Sequence, residues 1–328
     1  RMDTVEKTES LDNINDILND KVDTGNEPEK DEQSALALPD TYQINSGEAL
    51  SCDKFYTIAA KESTKMLLLI GPAASGKTTI ETSLYQLFQE KPVENYYFAG
   101  SRSLQGFEQR AYYTRTKSKG SVPDTPRTKV GEGPTFLHLR LWNRDNDATT
   151  NLIFWDISGE AFSENIGKVD SVKKEFSFAE RADYIIGIID GEKLCSKKTR
   201  NSVVSEITQL LRTFYDSGVI SEGCVLQIVF SKYDLLIKEE KYEEIIERAK
   251  KQINNYLKEL NANIEYYCVA AMPVSAKDIQ VGYGLNELLQ RWCKKREYIS
   301  WVPKKLTDFE NLSEYDKLFF KYNGVKDE

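Results

Sequence analysis

Histidine occurs once in the 328 residues, at His138, and cysteine only five times. One histidine rules out a histidine-built metal centre, and it rules out a Ser-His-Asp triad away from that position. The cysteines (Cys52, Cys195, Cys224, Cys268 and Cys293) are odd in number and scattered, with no C-x-x-C and no paired metal spacing. A reducing, cytoplasmic setting is expected from that usage. No apolar run approaches the roughly 18 residues that cross a bilayer, and no secretory signal is read in the opening residues, so no membrane segment is expected. An excess of positive charge is missing too. The formal net charge is −8, and residues 1–50 hold 13 acidic and 4 basic side chains. The remaining 278 residues hold 39 acidic and 40 basic ones, a body close to neutral. Direct nucleic-acid binding driven by charge is therefore not expected.

What is present is enough apolar residue, 40%, for a real core. Residues 1–50 read as an acidic tail poor in aromatics, disordered on composition, although Leu11, Ile14, Ile17 and Leu18 fall at helical spacing. Beyond them the chain alternates strand and helix patterns, which predicts an α/β fold with a mostly parallel sheet and helices on both faces. Strands are expected at 66–70, 95–100, 184–189, 225–230 and 264–270. Helices are expected at 78–89, 104–116, 202–215, 242–260 and 284–295. Residues 136–142 and 152–155 flank a turn and read as an antiparallel hairpin. Residues 90–135 form an insertion, and 117–134 within it are a loop rich in Gly, Pro, Ser and Thr. The main domain is placed at 51–297, with 298–328 as a C-terminal helical or interaction tail. His138 lies on a hairpin strand and is read as structural.

The stretch Gly71-Pro72-Ala73-Ala74-Ser75-Gly76-Lys77-Thr78-Thr79 follows a buried-type strand and opens a helix. That is the G-x-x-x-x-G-K-S/T spacing of a phosphate-binding loop. Gly71 and Gly76 permit torsions that turn successive N–H groups inward, so Ala74, Ser75, Gly76, Lys77, Thr78 and Thr79 are candidates to cradle phosphates. The helix N-terminus adds its dipole. Lys77 is the residue to reach the β- and γ-phosphates, and the Thr78 hydroxyl is a Mg²⁺ ligand candidate.

Three shorter motifs follow, each at a strand end. Asp156-Ile157-Ser158-Gly159 places a carboxylate for Mg²⁺ and a bare N–H at Gly159 for the γ-phosphate. Ser231-Lys232-Tyr233-Asp234 approximates the guanine-reading N/T-K-x-D. The Asp234 carboxylate can accept from guanine N1–H and N2–H₂, which adenine does not supply. Ser231 has a hydroxyl like Thr but no amide like Asn, so weaker base affinity is expected. In Ser275-Ala276-Lys277 the Ala276 N–H can donate to guanine O6.

Taken together, these motifs resemble the P-loop GTPases of the TRAFAC class, with their Ras-like G domain, over about 66–297. More narrowly, residues 98–108, 136–141, 156–160 and 182–184 resemble the double-GTPase families of bacterial conflict and phage-defence gene clusters. The resemblance implies GTP/GDP and Mg²⁺ as ligands, hydrolysis of GTP, and a regulatory role in antiviral defence. It also implies a protein effector, with a second GTPase or another defence component as the candidate. Thr135, just before the hairpin strand, takes the place of the switch threonine that caps Mg²⁺, with Thr128 and Thr125 as alternatives. Glu160 stands where Ras-like domains carry a water-orienting Gln. A carboxylate there repels the γ-phosphate unless protonated or turned away, so slow or partner-activated turnover is expected. Arg102, Arg110 and Arg127 are the candidates for a charge-supplying arginine in cis. Two other readings stand beside this one. One is a nucleotide-stabilised structural module with little hydrolysis, and the other is a P-loop kinase or ATPase, against which the guanine motifs argue.

Overall fold

The computed structural model describes residues 46–112, 134–260, 264–294 and 312–322. The helical spacing at Leu11–Leu18, the loop residues 117–133, and Thr125, Arg127 and Thr128 lie outside them. The described chain opens with helix α1 (Cys52–Ala59), strand β1 (Thr64–Ile70), helix α2 (Lys77–Glu90), strand β2 (Tyr96–Gly100) and helix α3 (Leu104–Ala111). A hairpin of β3 (Thr135–Asn143) and β4 (Ala148–Asp156) follows, then α4 (Gly159–Glu164) and α5 (Val169–Glu175). The second half runs β5 (Tyr184–Asp190), α6 (Gly191–Cys195), α7 (Arg200–Asp216), β6 (Val225–Ser231), α8 (Tyr233–Leu236), α9 (Tyr242–Tyr256), β7 (Ile264–Cys268) and α10 (Leu285–Cys293). A last described helix, α11, covers Glu314–Tyr322.

The seven strands form one sheet in the order β2-β3-β4-β1-β5-β6-β7. β1 pairs in parallel with β4 and β5, and β6 pairs in parallel with β5 and β7. Only the β2–β3 and β3–β4 pairs are antiparallel. This is the mostly parallel α/β sheet that the strand–helix alternation predicts. Strand alternation sends side chains to two cores. Met66, Leu68 and Ile70 join one with Phe136, Ile153, Trp155 and the buried faces of α7 and α9. Leu67 and Leu69 join the other with Leu137, Leu139, Leu141 and residues of α2, α3 and α10. Val203, Val204, Ile207, Leu210, Leu211 and Phe214 recur at helical spacing along α7, and all are buried. The sheet is thus covered on both faces, which is why its central strands read as nearly continuous apolar runs.

The structure departs from the expected boundaries in four places. α3 ends at Ala111, and residues 113–116 lie outside the description. α9 stops at Tyr256 and a 3₁₀ turn at Lys258–Leu260 completes the segment. β7 leaves the parallel ladder after Cys268 because Ala270 instead pairs antiparallel with Tyr283. Residues 46–50, assigned by composition to the acidic tail, pack on the body. Leu50 is 2% exposed and exchanges two backbone hydrogen bonds with Phe136, at 2.8 and 2.9 Å.

Candidate functional site

Every motif found in the sequence leaves the C-terminal end of β1, β4 or β6, or the turn after β7; β4 lies beside β1 and β6 beside β7, with β5 between the two pairs. That is where an open α/β sheet builds its ligand crevice. The loop after β1 is bent to open α2. Gly76 has φ 102° and Ala74 φ 62°, both left-handed, and Gly76 takes the N-cap position of α2. Ser75 is 1% exposed, and its Oγ makes no hydrogen bond in the structure.

Lys77 starts α2 and is buried. Its ammonium folds back into the loop, donating to Gly71 O at 2.7 Å and Pro72 O at 3.1 Å, and sits 5.6 Å from the Phe162 ring centroid. Burial pushes its pKa down to about 8, against the pull of Glu81, Glu160, Asp156 and Glu206. Thr78 and Thr79 follow Lys77 on the first turn of α2 and are half-buried.

The D-x-x-G turn lies directly against the phosphate loop. Ser158 caps α4, its Oγ accepting from Ala161 N at 3.3 Å. Gly159 opens that helix so close to the loop that an added Cβ would sit 2.3 Å from Ala73 N and 2.6 Å from Pro72 C. Only glycine fits there. Asp156 ends β4 and is 6% exposed. Thr135 is its direct partner in the β3–β4 ladder, so the two side chains share one face. Glu160 is half-buried on the first turn of α4.

Asp156 is held by Arg110. The guanidinium Nε donates to Asp156 Oδ2 at 2.8 Å and Nη2 donates to the same oxygen. A cation therefore already stands at the carboxylate assigned to Mg²⁺. With the Thr78 hydroxyl on the adjacent helix turn, the donors are hard oxygens of the kind Mg²⁺ takes. The residues present fit the metal. Arg102 is placed elsewhere. Its N–H donates to His138 Nδ1 at 3.0 Å, and it lines a 140 Å³ cavity with Glu62, Arg140 and Asn151. Asn151 lies five residues before Asp156 on β4, about 17 Å along the strand. Of the two candidate arginines among the described residues, Arg102 and Arg110, Arg110 is the one brought to the motifs.

The base-reading motifs are joined to the phosphate loop. Ser231 Oγ donates to Ser75 O at 2.6 Å. Lys232 has φ 48°, and its ammonium pairs with Asp190 Oδ2 at 2.9 Å and Glu192 Oε2 at 3.0 Å. Asp234, 4% exposed, accepts from Val274 N at 3.0 Å through Oδ2. That bond ties the S-K-x-D turn to the loop carrying Ser275, Ala276 and Lys277, which is stapled by Asp278 N donating to Ser275 O at 3.2 Å. Ala276 and Lys277 are exposed.

Two groups escaped the sequence reading. Glu81 is a charged residue on the inward face of α2, 2% exposed, with Oε2 unpartnered. Its carboxyl is pushed well above the usual range by burial and by the charge of Asp156, while Arg110 and Lys77 pull it down. The second is the Asp190–Glu192 pair beneath Lys232. The one trace of Glu81 in the sequence is its place between Ile80 and Leu84, which with Tyr85 and Phe88 form the apolar part of the buried side of α2.

A family model described as Double-GTPase 2 matches residues 65–293. No curated protein matches the chain. Among solved structures, the crystal structure of the bacterial selenocysteine-specific elongation factor EF-Sec is similar at 14% sequence identity with a TM-score of 0.34. The match covers 70% of this chain and 28% of that one, so this chain spans well under half of that protein.

Proposed function

The chain belongs to the Double-GTPase 2 family, and on that premise we propose that it binds guanine nucleotide at the β1, β4, β6 and β7 loops and hydrolyses GTP to GDP and phosphate. The observation that carries the reading is the 2.6 Å bond from Ser231 Oγ to Ser75 O. It joins the turn that reads a base to the loop that holds phosphates, so both halves of one nucleotide are served by one rigid frame. The hydroxyl that replaced the usual Asn performs this link itself.

In this reading Ala74, Ser75, Gly76, Lys77, Thr78 and Thr79 hold the phosphates, with Gly71 opening the loop. Asp234 accepts from the guanine N1–H and N2–H₂, Ala276 N–H donates to O6, and Lys232 and Lys277 flank the base with Ser275 shaping the turn. Gly159 offers its N–H to the γ-phosphate. Thr78, Asp156 and Thr135 are assigned to Mg²⁺, which when bound neutralises charge on the β- and γ-phosphates. Lys77 leaves Gly71 O and Pro72 O for phosphate oxygens, a stronger partner for a desolvated ammonium. Glu160 neighbours the water path, and its negative charge makes intrinsic turnover slow.

The nucleotide-binding unit is assigned to 51–297 together with residues 46–50, which pack on it. Among the described residues no helix is long and apolar enough to cross a membrane. A cytoplasmic regulatory role in a bacterial defence system, acting on a protein effector or a second GTPase, is assigned on the family resemblance. The second reading, a nucleotide-stabilised structural module, is favoured by Glu160 in place of Gln. Binding and phosphate release with GTP and ATP, for wild type and Asp234→Asn, separate the two. The expected result is Mg²⁺-dependent GTP preference that Asp234→Asn abolishes. Equal affinity for ATP sinks the guanine assignment, and tight GTP binding without phosphate release establishes the structural module instead.

A further inference from the structure

Arg110 comes from α3, inside the insertion that separates the phosphate loop from the hairpin, yet its guanidinium ends on the carboxylate of β4 assigned to Mg²⁺. Both donors fall on Asp156 Oδ2, and a third, Nη1, reaches Gly106 O at 2.9 Å and fixes the side chain along its own helix. The Arg110 side chain is 17% exposed and that of Asp156 3%, so the pair is only weakly screened by solvent. A carboxylate neutralised by one guanidinium attracts a dication less, and the guanidinium itself repels it.

Glu81 is carried by α2, the helix to which α3 is bonded through Glu108. It is fully buried, its Oε2 has no partner, and it lies within electrostatic range of both Asp156 and Arg110. A buried carboxyl oxygen without a hydrogen bond, within electrostatic reach of a guanidinium, offers that guanidinium a second seat.

We propose that Arg110 is a positioning residue that competes with Mg²⁺ for Asp156, and that Glu81 receives the guanidinium when the metal takes the carboxylate. The proposal rests on the nucleotide reading above. It makes α3 sensitive to the metal. Glu108, on the same helix, accepts from Tyr85 Oη at 2.7 Å and Gln89 Nε2 at 3.0 Å, and Gly106 N donates to Gly47 O at 2.9 Å. A transfer from Asp156 to Glu81 therefore pulls on a helix clamped to α2 on one side and to residues 46–50 on the other.

The test is the Mg²⁺ dependence of dissociation of N-methylanthraniloyl-GDP from the full chain. It is measured for wild type, Arg110→Gln, Arg110→Lys, Glu81→Gln and the Arg110→Gln/Glu81→Gln double variant. In Arg110→Gln the Mg²⁺ concentration giving half-maximal slowing falls about tenfold, the lower end of coupling between close charge pairs. Glu81→Gln raises it, because the guanidinium loses its second seat. The double variant stays nearer Arg110→Gln than Glu81→Gln, since the second seat matters only while the guanidinium is there. Arg110→Lys retains a competing charge and stays near wild type. Hydrogen exchange of the Leu104–Ala111 amides in wild type, with GDP and Mg²⁺ against GDP and EDTA, changes if α3 follows the metal, and this arm needs no variant to fold. Bound nucleotide with the same Mg²⁺ dependence in wild type and Arg110→Gln overturns the proposal alone. An absence of nucleotide binding by wild type at any Mg²⁺ concentration removes the nucleotide reading, and this inference falls with it.

Discussion

A single methyl group at Gly159 probes the tightest contact of the site. The added Cβ would press on Ala73 N and Pro72 C, and backbone atoms have no rotamer with which to yield. Overpacking of this kind costs about 1–3 kcal/mol. Gly159→Ala is expected to lower thermal stability and to weaken a non-hydrolysable GTP analogue more than GDP, measured by titration calorimetry; equal losses for the two ligands refute a γ-phosphate role. His138 gives a prediction of another kind. Its ring is held between Arg102 N and Asn151 Oδ1, at 3.0 and 2.9 Å, and burial lowers its pKa from the ordinary 6.5. Asn151 and Glu62 pull the other way, while Arg102 and Arg140 add to the lowering. The unfolded chain therefore binds a proton at a pH where the folded chain does not. Stability from this group is intact above the unfolded value and falls as pH drops from 6.5 toward the lower folded one. Denaturant melts of wild type between pH 7.5 and 5.5 should show that slope, and His138→Gln should flatten it. The structural reading of His138 was legible from its place on an amphipathic strand. The burial of Glu81 was not, because a glutamate in a helix is ordinarily solvated, and only its apolar neighbours mark it out.

At the scale of elements, the parallel strands were the most legible feature. β5 is buried at all seven positions, and such strands show as apolar runs without needing alternation. α1 was missed because it is short, and only Phe55 and Ile58 are buried on it. The ends of β7 and α9 were misplaced because what stops them is tertiary, a cross-pairing at Tyr283 and a 3₁₀ turn, with no local signal in their own residues. Residues 46–50 show how composition misleads, since Leu50 forms a two-bond bridge at the end of an acidic stretch. Leu50→Ala is expected to destabilise the body by about 2–5 kcal/mol, the range for deleting a buried leucine. Urea denaturation checks it, and a loss under 0.5 kcal/mol would mean that the bridge is peripheral. On the opposite face Trp292 Nε1 donates to Gln227 Oε1 at 2.9 Å, and Gln227 Nε2 donates to Glu265 at 2.8 Å. α10 is thereby fixed to the sheet by a polar chain, buried at Trp292 and Gln227, as well as by Leu285, Leu288 and Leu289.

For the whole molecule, the site was legible as an order of motifs along more than 200 residues, while their physical joints, Ser231 to Ser75 and Asp234 to Val274, were not. Such bonds depend on which loops the sheet order brings together, and sequence spacing carries no trace of that. Ligand linkage tests the assembled site as a unit. Saturating GDP with Mg²⁺, at about a hundredfold over its dissociation constant, contributes roughly 2.7 kcal/mol. In a body of this size that is a rise in melting temperature of several degrees, at about 2–4 °C per kcal/mol. Added EDTA should remove most of the rise, and a rise indifferent to EDTA would separate nucleotide binding from the metal. The clamp from Gly106 N–H to Gly47 O has a consequence at long range. Gly106 and Arg110 stand one turn apart on α3, and Gly47 lies in the stretch whose fifty residues carry a net charge of −9. Under the proposal that Mg²⁺ displaces Arg110 from Asp156, the exchange would also act on residues 46–50, where Gly47 is bonded to α3. The state of Asp156 would then be read at residues 46–50, outside the nucleotide crevice, and hydrogen exchange there with GDP and Mg²⁺ against GDP and EDTA measures it.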